Sequence, residues 1–531
     1  MDETAPHRLV EDLEEKIQAI EVDFHRAYWD SQIEASPDND RLRAELELEL
    51  RKLKGDKESL DAIERALQTE IHEPVLRRQL EVLQLSLTGN QMDEAPRAAL
   101  VELSTQVESE FAAYRPEIDG RRYSDNELTE ILKESDDPTL RKAVWESSKE
   151  VGTVVASRVL EIVRLRNQAA RDLGYGDFYR MSLALQEFDE EWLFGALDEL
   201  ETLTDEPFRR WKSRLDDKVR ARFGVEEVYP WHYADPFFQA LPPDGSVSLD
   251  QQLSGASAAD LALSTFAQWG IDVSRMLEVS DIYPKENKCQ HAFCLDIDRS
   301  GKDVRVLANV VPGEHWVEVM LHETGHAAYD MSVSPALPYL LRRAVHTFVT
   351  EAIAISSGRL ARDPEWLVKI GGLDRAEVDS VSEALVHATA AHSLLFARWG
   401  LVMTHFERAL YSDPEQDLDN LWWDLVERFQ LARVPSEVRE AKPSGRWASK
   451  IHLAVAPVYY HNYLLGEMLA SQFRNTIERD CGSFVANPDA GRWMLEKVFA
   501  RGNSVRWDQV IEDATGRPLS ASDLGDQLQR V

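Results

Sequence analysis

Apolar residues recur at intervals of three and four along most of the chain, which is the spacing of amphipathic α-helices. The pattern is clearest between Leu9 and about Ala113, where charged residues separate Leu42, Leu46, Leu50, Leu53, Leu60, Ile63 and Leu67. It returns in later stretches, at 128–148, 157–173, 193–215, 261–269, 379–411, 421–431, 462–477 and 490–499. The sequence therefore predicts a mainly α-helical fold.

One segment alternates instead of following the helical spacing. Between residues 291 and 298, Phe293, Leu295 and Ile297 occupy every second position, and Arg-Ser-Gly-Lys at 299–302 leads into residues 303–310. Alternation on both sides of a Gly-containing turn predicts a β-hairpin. The hairpin is either a small structural ribbon or an edge strand along which an extended peptide binds.

The chain shows no repeat of fixed period and no Gly/Ser-rich or Pro-rich linker. We therefore expect a single unit over residues 1–531. Within it we divide amino-terminal helices at 1–115 from a helical lobe at 116–290 and from a third region at 291–531, which carries the motifs described below.

Composition excludes two kinds of partner. The formal net charge is −34 at pH 7, and an acidic surface repels nucleic-acid phosphates and anionic lipids. We expect neither a nucleic-acid partner nor a membrane partner. The charge serves solubility or, as the alternative, attracts cations or basic peptides to an acidic cleft.

Neither a membrane span nor a secretory signal is predicted. No window approaches the roughly 18 uninterrupted apolar residues of a spanning helix, and the mean hydropathy is −0.39. The first residues lack the basic and apolar regions of a signal peptide. Cys289, Cys294 and Cys481 form no CxxC pair, which suits a reducing compartment. We expect a soluble, cytoplasmic protein.

The strongest chemical motif is His-Glu-Thr-Gly-His at 322–326, inside an amphipathic stretch. Residues four apart share one helix face, so His322 and His326 can present both imidazoles to a single Zn²⁺ ion. Such an ion keeps one position for water and lowers the pKa of that water, and Glu323 would accept the proton. Gly325 also fits a purely structural interpretation, because a small residue lets a neighbouring element pack closely.

The third metal ligand is expected on a following helix, and Glu351 is the candidate. Apolar neighbours surround it in the sequence, namely Phe348, Val349, Ile353 and Ile355. A carboxylate in such surroundings needs a partner. That partner is the metal or, as the alternative, an ordinary buried ion pair, and His346 is the competing ligand.

Residues 450–463 collect hydrogen-bond donors where a helical protein usually has aliphatic side chains. Hydrolysis of a peptide bond passes through an oxyanion, and a phenol or imidazole directed at that oxygen stabilises it as charge develops. The alternative is a tyrosine-rich packing patch with its hydroxyls at the surface.

These motifs resemble those of the angiotensin-converting-enzyme family of zinc dipeptidyl carboxypeptidases, which are gluzincin metallopeptidases. A weaker likeness extends to oligopeptidases of the thimet and neurolysin type. The similarity covers nearly the whole chain, and its blocks are Gln290-His291-Ala292, Gly301-Lys302-Asp303, His322–His326, Glu351-Ala352-Ile353, Lys450-Ile451-His452, and Tyr460 with Tyr463.

The resemblance implies a two-lobed helical body with a deep central cleft that amino-terminal helices cover, and the hairpin beside the zinc helix. It implies that His452 and Tyr463 stabilise the oxyanion and that His291 and Ala292 bind the substrate backbone. It also implies a pocket for a free C-terminal carboxylate, formed by Lys450, Tyr460 and Gln239.

Three positions depart from the family pattern. Ile355 stands where the family has an aspartate that orients a zinc-bound histidine, so we expect Asp330, one turn beyond His326, to make that hydrogen bond. Asn462 replaces a chloride-binding arginine, so chloride activation is not expected. The interval from His452 to Tyr463 is one residue longer than in the family, which affects the carboxylate pocket.

The leading hypothesis is a peptidase with one Zn²⁺ ion that acts on short peptides and releases C-terminal dipeptides. The alternative enzyme is an oligoendopeptidase, which ignores the end group. A different class of protein is a catalytically inactive zinc-binding receptor or scaffold, and a third possibility is a non-peptide hydrolase with the same zinc chemistry. No pattern in the chain predicts an oligomeric state.

Overall fold

A computed structural model describes residues 4–241 and 248–531. Helices make up 69% of the structure, and the strands of the described part form two small antiparallel sheets. The mainly α-helical prediction is confirmed. The first three residues, which entered the search for a signal peptide, lie outside the described residues.

Six of the nine described helices of the amino-terminal half begin after a residue whose side chain accepts a hydrogen bond from the first turn. In chain order the nine helices are α1 (Thr4–Ile33), α2 (Pro37–Lys54), α3 (Lys57–Leu67), α4 (Pro74–Thr88), α5 (Glu94–Ala113), α6 (Asp125–Glu134), α7 (Pro138–Asp172), α8 (Phe178–Leu185) and α9 (Glu190–Phe223). A two-residue ribbon, β1 (Glu117–Ile118) and β2 (Arg121–Arg122), separates α5 from α6.

The expected helix over 128–148 is divided into two by its own sequence. Asp137 accepts hydrogen bonds from the N–H groups of Thr139 and Leu140, and Pro138 occupies the first helical position. An acceptor side chain followed by proline starts a new helix. α7 then runs without interruption into the helix expected at 157–173.

From residue 248 onward, where the structure describes every residue, the chain contains the predicted hairpin and fourteen further helices. These are α10 (Asp250–Leu253), α11 (Ala258–Gln268), α12 (Ser274–Val279), α13 (Glu314–Ser332), α14 (Thr347–Gly358), α15 (Pro364–Lys369), α16 (Arg375–Ser412), α17 (Leu418–Gln430), α18 (Ser436–Arg439), α19 (His452–Val455), α20 (Tyr460–Cys481), α21 (Pro488–Lys497), α22 (Trp507–Thr515) and α23 (Ser522–Leu528). Short 3₁₀ turns lie at Pro230–His232, Tyr339–Leu341, Arg359–Arg362, Arg446–Ser449 and Phe499–Arg501.

The hairpin consists of β3 (Phe293–Asp296) and β4 (Val304–Leu307), paired antiparallel with Phe293 opposite Leu307. Its turn places Arg299 at φ 54° and Gly301 at φ 71°. Glycine adopts such backbone angles without steric cost. The hairpin prediction is confirmed, with strands shorter than the alternating stretches.

The chain divides into two compact units, each assembled from separate stretches. Unit 1 comprises Met1–Gln91, Val247–Val386 and Leu465–Asp523, and unit 2 comprises Met92–Ser246, His387–Leu464 and Leu524–Val531. These boundaries differ from a division at 115 and 290, because each unit combines stretches that are distant in the sequence.

Each unit has its own buried apolar core. In unit 1, helices α1 to α4 bury Val10, Leu13, Ile17, Leu60, Ile63, Leu76, Leu80 and Leu83, and Trp29 packs with Ile297 and Leu307 of the hairpin region. In unit 2, α7, α9 and α17 bury Val144, Trp145, Val155, Leu193, Leu197, Trp422 and Phe429. Within the described chain, no helix combines the length and the apolar character that crossing a bilayer needs.

Candidate active site

The predicted zinc helix is α13, and it packs directly on α14, which carries Glu351. Gly325 makes this close approach possible, since a Cβ atom there would lie 2.9 Å from the Cα of Ala354 and 3.0 Å from Oγ of Ser357. A methyl group would therefore push the two helices apart. This close contact lets side chains from both helices reach a common point.

His322, His326 and Glu351, here called the metal group, meet between α13 and α14. Oε2 of Glu351 lies 3.7 Å from Nε2 of His322 and 3.9 Å from Nε2 of His326. One ligand atom from each residue lies within 4.8 Å of the other two. Two imidazoles and a carboxylate at these separations could hold a metal ion, and they are the ligand types found in catalytic zinc sites.

The surroundings keep both imidazoles neutral, as metal ligands must be. Burial lowers the pKa of His322 to about 4. Burial, with the nearby charge of His322, lowers the pKa of His326 well below its ordinary value. The His322 side chain is still 30% exposed, so a small molecule can reach this face of the metal group.

Glu323 follows the first ligand on α13 and is buried. Burial and then the charge of Glu351 raise the pKa of its carboxyl group to about 8. A carboxyl group whose pKa is raised in this way can both accept and return a proton near neutral pH.

The competing ligand, His346, has a structural position instead. It precedes α14, and its Nδ1 atom accepts a hydrogen bond of 3.3 Å from the N–H of Phe348. This bond caps the first turn of the helix that carries Glu351. Among the described residues, the cluster suited to a metal contains Glu351 rather than His346.

The orienting partner of His326 differs from the one predicted. Nδ1 of His326 lies 2.8 Å from Oγ1 of Thr350, so this hydroxyl occupies the position for which Asp330 was expected. Asp330 interacts with the hairpin region instead: burial and the charge of Asp296 raise its pKa to about 8, while Arg299 acts in the opposite direction. Position along the helix alone did not identify the partner, because the hydroxyl belongs to the other helix.

His291 and Ala292 immediately precede β3, with His291 exposed and Ala292 half-buried. One edge of β3 pairs with β4. In the part of the chain that the structure describes, no strand pairs with its other edge. An open edge can accept an extended peptide by main-chain hydrogen bonding.

Residues 450–463, here called the donor segment, belong to unit 2. The ring of Tyr460 lies 5.3 Å from that of His452 and 5.6 Å from that of Tyr463, measured between centroids. Nε1 of Trp399 donates a hydrogen bond of 3.3 Å to the Tyr460 hydroxyl. The structure thus brings the three predicted donors of this segment into one aromatic cluster.

Lys450 and Gln239 also come together, although they are distant in the sequence. Nζ of Lys450 donates to Oε1 of Gln239 at 3.3 Å, and it lies 4.9 Å from the ring centroid of Phe237. Burial lowers the pKa of Lys450 to about 8, and the charge of Asp235 partly opposes this effect. A half-buried ammonium with an amide oxygen as its contact is suited to bind an anion.

Lys450 lines a cavity of about 230 Å³ within unit 2. Asp125, Ser148, Ser449 and His452 are its other polar lining residues, and the remaining walls are formed by Phe111, Tyr114, Pro116, Leu128, Val151, Pro236, Phe237 and Ile451. The cavity therefore combines one cation, Lys450, and one carboxylate, Asp125, with walls formed mostly by apolar residues.

Three side chains that the sequence analysis did not single out hold the donor segment, namely the buried Arg166 and Glu407 and the half-buried Gln186. Arg166 donates to the carbonyl of Ala454 at 2.7 Å. Glu407 accepts from the N–H of Val458 at 2.7 Å, and Gln186 donates to the Val458 carbonyl at 3.3 Å. Oε1 of Gln186 also lies 3.1 Å from Nδ2 of Asn462.

The backbone conformation of Val458 accounts for the contacts that Glu407 and Gln186 make with it. Its φ angle is 54°, a left-handed conformation that is rare for a β-branched residue. Such a conformation persists only where the surroundings fix the backbone on both sides. Glu407 and Gln186 do so, one on each peptide group. A polar residue at a core-facing helical position, such as Glu407 between Met403 and Leu410, was the available signal in the sequence.

The chain matches two family models in succession. Residues 1–208 match the model described as angiotensin-converting enzyme. Residues 274–530, which include the metal group and the donor segment, match the model described as peptidase family M3. The residues of the candidate site thus match the M3 model, whereas their motifs most resemble those of the angiotensin-converting-enzyme family.

Two curated relatives are similar over part of their length. The chain is 23% identical over 244 residues to "Angiotensin-converting enzyme-related protein" of Drosophila melanogaster, covering 43% of this chain and 38% of that protein. It is 22% identical over 269 residues to "Carboxypeptidase 1" of Bacillus subtilis, covering 45% of this chain and 52% of that protein. The chain thus spans about half or less of these relatives. Together, the matches show that parts of this chain are similar to the angiotensin-converting-enzyme family and to peptidase family M3.

Proposed function

We propose that this protein is a zinc-dependent peptidase in which His322, His326 and Glu351 hold one Zn²⁺ ion. The observation that carries the proposal is the approach of three ligand atoms, from two helices, to within 4.8 Å of one another. The family matches support the same chemistry. The three free thiols, Cys289, Cys294 and Cys481, support a cytoplasmic location.

Glu323 is the general base in this proposal. Zinc, when bound, polarises a water molecule and brings its pKa toward about 7. The carboxylate of Glu323 accepts the proton as the water oxygen attacks the scissile carbonyl, and it then returns the proton to the leaving amine. The charge of a bound Zn²⁺ ion would oppose the effect of burial on the pKa of this carboxyl group, so that its ionised form is available to accept the proton.

His452 and Tyr463 are the proposed donors to the oxyanion. Both side chains belong to the aromatic cluster of the donor segment. Burial, followed by the charge of Lys450, lowers the pKa of His452 to about 4, so the ring is neutral and its N–H can donate without a prior change of charge. Hydrogen bonds that strengthen as negative charge develops accelerate the chemical step.

The proposed products are C-terminal dipeptides from short peptides. Lys450 and Gln239 would bind the free carboxylate of the substrate with Tyr460 beside them, and the apolar cavity would accept the terminal side chain. His291 and Ala292, next to the open edge of β3, would bind the substrate backbone. A charge-assisted hydrogen bond contributes about 1.5–3 kcal/mol, enough to distinguish a free C-terminus from a blocked one.

A pair of peptides tests the proposed cleavage mode. One peptide has a free C-terminal carboxylate and its twin has a C-terminal amide, and mass spectrometry follows the products of the zinc-loaded protein. We expect dipeptides from the free peptide and much slower cleavage of the amide. Equal rates with internal cleavage would mean that the protein is an oligoendopeptidase and not a dipeptidyl carboxypeptidase. The M3 match over residues 274–530 supports this second candidate.

A further inference from the structure

A threonine hydroxyl contacts one of the two histidines of the metal group. Thr350 immediately precedes Glu351 on α14, and its Oγ1 atom lies 2.8 Å from Nδ1 of His326. Ile355, one turn beyond Glu351, brings no polar atom to this position.

The direction of this hydrogen bond follows from the geometry of the ring. Nε2 of His326 faces Oε2 of Glu351 at 3.9 Å, so Nε2 is the atom available to a metal. A neutral imidazole that binds a metal through Nε2 carries its proton on Nδ1. The Nδ1–H of His326 therefore donates, and the hydroxyl oxygen of Thr350 accepts.

We propose that Thr350 is a positioning residue for the metal centre. By accepting from Nδ1–H, its hydroxyl selects the tautomer of His326 that leaves the Nε2 lone pair free, and it holds the ring in the plane that faces Glu351. This inference rests on the proposed metal centre and adds to it a residue from α14. One helix thus supplies both the third ligand and the residue that orients the second.

The chemical character of the acceptor has a further consequence. A carboxylate in this position increases the basicity of a ligating histidine through its charge, whereas a hydroxyl is neutral and polarises the ring less. The zinc affinity of this chain therefore depends on ring orientation more than on added charge. Removing the hydroxyl should weaken metal binding without altering the fold.

Three variants separate this role from a structural one. Thr350→Val removes the hydroxyl and keeps the branched shape, while Thr350→Ser keeps a hydroxyl. Thr324→Val is the matched control on α13, because the Thr324 hydroxyl is buried without a hydrogen-bond partner in the described part of the chain. Zinc affinity is measured by competition with a chromophoric chelator, and metal-free stability by thermal unfolding.

We expect Thr350→Val to weaken zinc binding by about 10–100-fold, the range found for partners of ligating histidines. Thr350→Ser and Thr324→Val should stay close to the unmodified protein, and metal-free Thr350→Val should melt normally. In the Co²⁺-substituted protein, the visible absorption of Thr350→Val should change and that of Thr324→Val should not. Equal zinc affinities and identical Co²⁺ spectra for Thr350→Val and the unmodified protein would overturn the inference.

A change in metal-free melting that accounts for the whole affinity loss, or a failure of Thr350→Ser to restore binding, would also overturn it. Failure of the proposed function gives a different result: the unmodified protein would then take up no metal at all.

Discussion

The metal group and the donor segment were both predicted from short motifs, yet the fold constructs them differently. His322 and His326 are one helical turn apart, and Glu351 reaches them from the next α-helix through one backbone contact at Gly325. The donor segment depends on side chains from far along the chain, since Arg166 reaches a carbonyl 288 residues away and Gln186 one 272 residues away.

This difference indicates where the two regions are vulnerable. In the metal group the residues proposed to bind the ion also define the geometry, so a change at one of them should remove the chemistry itself. In the donor segment the residues proposed to contact the substrate are separate from the residues that hold them. Changes in the latter should therefore reduce activity indirectly, together with stability.

The largest effect is expected from Glu323→Gln, which tests the chemistry of the metal group. The amide cannot accept a proton, so turnover should fall by about 10²–10⁴-fold. Zinc should remain bound, because the three ligands are unchanged. Turnover and zinc content are measured on the same sample. A variant that keeps its turnover would remove Glu323 as the base, and an unmodified protein without turnover would support the inactive receptor.

The next effect concerns recognition by the donor segment. Lys450→Met removes the cation but keeps a long side chain, so KM for free peptides should rise by about 10–100-fold, the equivalent of one charge-assisted hydrogen bond. The amidated twin serves as the control, and its kinetics should not change. A similar loss on both peptides would mean that Lys450 does not distinguish the end group.

The pH dependence of KM should follow the same cation. Because burial lowers the pKa of Lys450 to about 8, the ammonium is present below that pH and is lost above it. Raising the pH from 7 to 9 leaves roughly a tenth of the lysine charged, so KM for the free peptide should rise about tenfold. Relative to the amidated twin, a constant KM over this range would contradict a role for the charge.

The smallest effect on catalysis is expected at Glu407, whose side chain accepts a hydrogen bond from the backbone of the donor segment. Glu407→Leu leaves the buried N–H of Val458 without its acceptor, which should cost about 1–3 kcal/mol in the free energy of unfolding. A moderate loss of kcat should accompany it as the segment shifts. Glu407→Gln keeps an acceptor oxygen and is the matched control. If both variants unfold and react alike, the contact with Val458 does not position the segment.

The two regions also differ in how far their sequence predicts them. The spacing of His322 and His326 determines their common helix face, and the apolar surroundings of Glu351 indicate a buried carboxylate with a partner, so the metal group followed from local pattern. The hairpin and the mainly helical fold followed in the same way. Thr350 was missed because its hydroxyl orients a ring on another helix.

The donor segment was predicted only as a set of residue types. Its residues come together through Arg166, Gln186 and Glu407, and through a left-handed Val458 that no periodicity reveals. Whether two distant side chains meet depends on the packing of whole helices, which local spacing does not contain. The hydrogen bond between Lys450 and Gln239 likewise depends on the packing of segments that are distant in the sequence.

The central claim is that two imidazoles and one carboxylate bind the same zinc ion. Diffraction data collected on both sides of the zinc absorption edge, from crystals grown with zinc, test it most directly. We predict one anomalous peak at about 2.0–2.2 Å from Nε2 of His322, Nε2 of His326 and a carboxylate oxygen of Glu351. A zinc peak elsewhere in the chain, or no peak between α13 and α14 in crystals grown at a saturating zinc concentration, would contradict the account.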